Sequence, residues 1–187
     1  MGLVSIFGIP TLFDLPYSNP TLSVNEAHIH LILNHTPILG SLFGLVLMLT
    51  GMIRQNAVVL RTGLVTLVVA AVLAMPTQLT GEGAEKVVEH QPGVSRSLLH
   101  EHEEAAELAF WVLSATGALA LGSVLLLNHQ HRRAALLARF ALAGALLSFG
   151  LMARAGNLGG QIMHPETRSD FVSNAFENEH NASTKLP

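Results

Sequence analysis

Three histidines open an apolar stretch, in the run HIHLILNHTP at 28–37. The imidazoles of His28, His30 and His35 can ligate a metal, hold a haem iron or move a proton near neutral pH. Similar chemistry recurs at the ends of three other apolar stretches. Glu82, Glu85 and Glu89 follow the second, His100, His102, Glu103 and Glu107 open the third, and His164 follows the fourth. Glu82/Glu85 and His100/Glu103 are i, i+3 pairs, so each pair occupies one helical face. The E-x-x-H pattern of di-iron bundles is missing from the apolar stretches, and His100–Glu103 is its reverse.

The chain has no cysteine. That excludes disulfides, thiolate metal sites, iron–sulfur clusters and a covalently attached c-type haem within it. Three chemistries stay open. Haem b needs two imidazoles, or one and an open site, from helices about a porphyrin's width apart. A non-haem iron or other divalent metal needs several histidines and carboxylates together. A quinone or proton site uses histidine and glutamate as acid and base with no metal. The cofactor-binding candidates are His28, His30, His35, His102 and His164. For a bare metal they are His28, His35, Glu82, Glu85, His102, Glu103 and His164.

Helical geometry sorts these residues. His28 and His35 are seven apart and share a face, whereas His30 lies about 200° around an ideal helix. One set must therefore look away from the bundle axis. His102 lies on a stripe with Ala105, Ala106 and Ala109, whose small side chains let a bulky group approach the backbone.

Each feature also has a plain reading. Histidines at a headgroup boundary are interfacial polarity, and Glu82–Glu89 suits a solvated helix face. The carboxylates of HEHEE at 100–104 favour a helix N-terminus through the macrodipole. GNLGGQIMHPE at 156–166 reads as a helix C-cap and a turn, with Gly156, Gly159 and Gly160 letting the chain fold back over the bundle mouth. Pro37 and Pro76 are expected to kink their helices, and Gly40, Gly44 and Gly51 to allow close helix contacts.

The elements that must position these groups are apolar. Of the 187 residues, 50% are hydrophobic and only 12% charged, and mean hydropathy is +0.45. Four stretches, about 28–53, 57–80, 105–128 and 134–156, approach the ~20 residues that cross a bilayer as a helix. The expected fold is all-α: a four-helix transmembrane bundle of up-down topology with both termini on the same side. Residues 1–25 read as an extramembrane arm and a poor secretory signal, lacking a basic start; 26–164 read as the membrane domain and 165–187 as a polar tail. Ser95 or Ser97 is the expected N-cap of the third span. The second and third spans are expected to project beyond the bilayer.

Charge orients the bundle. All thirteen acidic residues, and every histidine but His129 and His131, fall on the side of the termini and the 81–104 connection. Arg54, Arg61, Arg132, Arg133 and Arg139 fall on the other, where there is no acid. The positive-inside rule makes the arginine side cytoplasmic and the His/Glu face periplasmic, in a bacterial inner membrane. The net charge of −3 gives no argument for nucleic acid.

Four motifs, AHIHLILNHTPILG, LTGEGAEKVVEH, LLHEHEEAAELA and GNLGGQIMHPETR, occur in this order over about residues 26–168. Together they resemble an uncharacterised family of small bacterial four-helix membrane proteins, related to membrane domains fused to Rieske or c-type cytochrome modules. The resemblance implies redox work, most simply haem-mediated electron transfer. It draws attention to His28, His30, His35, Glu82, Glu85, His102, Glu103 and His164, and ranks His100 lower. The expected function is thus a cytochrome b-like electron-transfer subunit in the lipid bilayer. Its haem b ligands are expected to be His35 or then His28 opposite His102, with His164 as a third or second-site ligand. Its partner would be a larger redox complex, a c-type cytochrome or a second copy. A His/Glu metal site and a non-catalytic structural subunit are the alternatives.

Overall fold

A computed structural model of the protein describes residues 26–129, 131–169 and 171; the arm at 1–25 and the tail beyond 171 lie outside the described residues. Apolar sequence without backbone partners in its surroundings must satisfy its amides internally, and the described chain is helical, with no strand among the described residues. The helices are α1 (Glu26–Leu33), α2 (His35–Ile53), α3 (Ala57–Leu79), α4 (Gly81–Val88), α5 (Arg96–Asn128) and α6 (Ala134–Met163), followed by a 3₁₀ turn at Pro165–Thr167. Four helical stretches are long and apolar enough to cross a membrane: Glu26–Ile53, Ala57–Leu79, Arg96–Asn128 and Ala134–Met163.

Local chemistry sets the ends. The Asn56 side chain caps α3 by accepting from the amides of Val58 and Val59 at 3.0 and 3.1 Å. Ser95, rather than Ser97, caps α5 through the Leu98 amide at 3.4 Å. The first span is divided at Asn34 into α1 and α2. Pro37 lacks an N–H, so the Leu33 carbonyl loses its helical donor. The Thr77 hydroxyl of α3 reaches that carbonyl at 3.5 Å. Pro76 lies inside α3, three residues before its end. The acidic run after it belongs to a separate helix, α4, since Thr80 ends α3 and begins α4.

One expectation is corrected here. Gly156, Gly159 and Gly160 do not form a turn; they lie within α6, which runs to Met163. The helix stops at Met163 because His164 precedes Pro165, and a residue before proline is pushed out of the helical region. His164 accordingly has φ −122° and ψ 74°.

Small residues sit inside and large apolar ones outside, the pattern of helices packed in lipid. One core cluster joins Leu45 and Met48 of α2, Leu64 and Leu67 of α3, Ala120 of α5, and Ala138, Ala141 and Ala145 of α6. A second joins Ala70, Ala71 and Ala74 of α3 with Ala109 and Leu113 of α5 and Met152 of α6. Phe43, Trp111, Phe140 and Leu146 face outward. The α2–α3 approach is close enough that a methyl on Gly51 would strike the Leu60 backbone nitrogen. Buried hydroxyls bond to carbonyls: Ser41 to Ile38 at 2.8 Å, Ser123 to Ala134 at 3.0 Å, and Thr116 to Val112 at 2.8 Å. Thr116 also meets the Ser148 hydroxyl of α6 at 3.2 Å.

Candidate functional site

Two imidazoles are held by backbone carbonyls of neighbouring helices. His30, on α1, is half-buried, and its Nδ1 lies 3.0 Å from the Thr77 carbonyl oxygen. That carbonyl belongs to the last turn of α3, where carbonyls have no intrahelical amide partner. The Thr80 hydroxyl lies 3.4 Å from the same nitrogen. One turn before His30, Glu26 packs against Gly83 of α4, where a Cβ would collide with the carboxylate. The α1–α4 pairing thus seats the start of α1 and turns His30 toward α3.

His102, on α5, is also half-buried, and its Nδ1 lies 2.8 Å from the Ala155 carbonyl oxygen of α6. Its ring lies beside Gly159, one helical turn beyond Ala155. A Cβ there would come within 3.0 Å of Cε1 and 3.3 Å of Nδ1. A carbonyl can only accept, so the proton of each ring is on Nδ1 when the imidazole is neutral, and Nε2 carries the lone pair. This is the arrangement that prepares an imidazole as a ligand or as a proton acceptor, with its other nitrogen oriented by a backbone group.

The remaining histidines and carboxylates are placed differently. His28 and His35 are exposed, so the inward imidazole of the first span is His30. His100 is exposed and pairs with Glu103 at 3.8 Å and Glu104 at 3.3 Å on its own helix. Glu82, Glu103 and Glu107 are exposed, and Glu85 is half-buried. His164 is exposed, with Nδ1 3.0 Å from Glu166. The Glu166 carboxyl is held below the ordinary carboxylate value by its own backbone amide, then by His164. Among the described residues, no three His, Asp or Glu side chains gather as a metal-ligand group. The set His28, His35, Glu82, Glu85, His102, Glu103 and His164 is therefore not drawn together by these helices.

Several participants carry no chemical label in the sequence. Thr77, Thr80, Ala155 and Gly159 act through a carbonyl, a hydroxyl or the space they leave. Pro76 and the GNLGG run were the available hints. Arg168 was also missed. Its Nε donates to the Gln161 carbonyl at 2.9 Å, and its Nη2 to those of Ile162 at 3.1 Å and Gly93 at 3.2 Å. It closes the end of α6 and pins the α4–α5 connection beside it.

No family model, curated protein or solved structure matches the chain.

Proposed function

We propose that this protein is a multi-pass, cytochrome b-like electron-transfer subunit of a bacterial inner membrane, in which His30 and His102 hold a haem b. One observation carries the reading: two imidazoles on different helices, each with Nδ1 fixed by a carbonyl and Nε2 left with its lone pair. A porphyrin supplies four of the six iron ligands, so two imidazoles complete the set. A bare metal ion asks for more protein donors than this pair provides. Bound haem would supply the one-electron carrier. The residues do the rest: the Thr77 and Ala155 carbonyls orient the rings and raise the basicity of Nε2.

In this reading the bundle is up-down, with both termini and the histidine pair on the periplasmic side and the arginines on the cytoplasmic side. Electrons would pass between a quinol, a c-type cytochrome or a larger redox complex. The kinship with membrane domains that accompany Rieske or c-type cytochrome modules belongs to the same proposal.

The test is an oxidised and dithionite-reduced absorption spectrum of the detergent-purified protein, with metal analysis of the same sample. The expected result is a Soret band with sharp reduced α and β bands. His30→Ala and His102→Ala each remove the six-coordinate signature, and added imidazole restores it; His28→Ala and His35→Ala leave it in place. Stoichiometric metal without porphyrin absorbance would replace this reading with a non-haem site. A spectrum indifferent to His30 and His102 would refute the ligand assignment.

A further inference from the structure

The outer face of α3 carries a second feature, remote in sequence from the histidines. Val58, Arg61, Thr62, Val65, Thr66 and Val69 line a shallow groove of about 410 Å³. The Thr62 and Thr66 hydroxyls turn back onto their own helix, donating to the Val58 carbonyl at 3.0 Å and the Thr62 carbonyl at 2.9 Å. With their polar atoms satisfied, both threonines add to an apolar trough. From Arg61 to Val69 a helix rises about 12 Å, most of the ~15 Å that one leaflet contributes to the hydrocarbon core.

The groove is charged one helical turn from its Val58 end. Arg61 is exposed and has no ion-pair partner among the described residues. No Asp or Glu occurs between 27 and 81 or between 108 and 165; the acids of the four spans, Glu26, Glu101, Glu103, Glu104 and Glu107, lie at the start of the first span and in the first turns of the third. Arg54 and Arg133 flank the short connections at this end, next to the core cluster that joins the end of α2 to the starts of α3 and α6.

We propose that this groove binds one anionic phospholipid, its phosphate on Arg61 and its acyl chain running inward along Val65 and Val69, with Val58 beside the headgroup. The apolar run from Arg61 to Val69 and the unpaired cation that heads it fit one lipid of one leaflet. A second copy of the chain fits worse: a two-fold contact on this face would set Arg61 against Arg61 with no acid to separate them. Basic pockets on transmembrane helices recognise anionic headgroups by the same charge complementarity.

The full-length protein in detergent, given equimolar phosphatidylglycerol and phosphatidylcholine of identical chains, is read by native mass spectrometry. One arginine near the headgroups favours the anionic lipid about fivefold. Arg61→Gln brings the two lipids to parity, Arg133→Gln leaves the preference unchanged, and Val65→Trp, which fills the trough, removes the retained lipid at unchanged charge. Both altered α3 positions are exposed, so the fold is not at stake. Equal retention of the two lipids overturns the proposal, as does an equal loss in the Arg61 and Arg133 variants, which would mean diffuse charge. A dimer that Val65→Trp dissolves would assign the groove to a second copy instead.

Discussion

Gly159→Ala separates packing at His102 from the stability of α6. Two terms oppose one another. Alanine inside a helix is favoured over glycine by about 0.5–1 kcal/mol. The new Cβ would lie 3.0 Å from His102 Cε1 and 3.3 Å from Nδ1, where carbon contacts settle at about 3.5–4.0 Å. The ring must therefore retreat by about 0.5 Å, and the 2.8 Å bond to the Ala155 carbonyl lengthens toward the limit of a hydrogen bond. Such a bond contributes about 0.5–1.5 kcal/mol net, so the two terms nearly cancel. Gly160→Ala is the control, because nothing lies within 4 Å of its Cβ; it keeps the full gain. Thermal unfolding in micelles is expected to place the Gly160 variant above the wild type and the Gly159 variant close to it. Nitrogen NMR of the imidazoles is expected to show a displaced His102 signal in the Gly159 variant alone. If both variants gain stability equally and the His102 signal does not move, the imidazole is not seated over Gly159, and the geometry of the candidate site is wrong.

Two further outcomes follow from the end of α6. Arg168→Lys is expected to speed amide exchange in 161–168 and around Gly93, because an ammonium cannot reproduce the guanidinium fork that serves three carbonyls; protection equal to the wild type would count against the pin. Since the folded Glu166 carboxyl is lowered, its contribution is present above the ordinary carboxylate value and is lost as pH falls through the folded value. His164→Ala should raise that titration part of the way toward normal in a carbon NMR titration, since the backbone amide remains; an unmoved titration would remove His164 as a cause.

The membrane helices were legible because apolar length is a one-dimensional property. The stretches at 57–80 and 134–156 needed no partner to be recognised, and helix is the economical way to satisfy their backbone in lipid. The end of the fourth helix was not legible. Three glycines suggested a turn, yet α6 continues through them to Met163. Glycine lowers helix propensity by about 1 kcal/mol each, and packing outweighs this where a side chain needs the space, as His102 does at Gly159.

The same division applies to the histidines. Residue type and spacing marked the first span and position 102 as places where imidazole chemistry gathers, and 200° of helical rotation separated His30 from His28 and His35. Which face turns inward was a question of what packs there. Glu26 against Gly83 and His30 against Thr77 decide it, through contacts between residues about fifty positions apart. Composition and pattern therefore determined the apolar character of the chain and the number of long helices, because these follow from each segment alone. Tertiary structure decided which imidazoles are oriented and by what, because the groups that hold them are carbonyls and empty space, which every sequence contains and none announces.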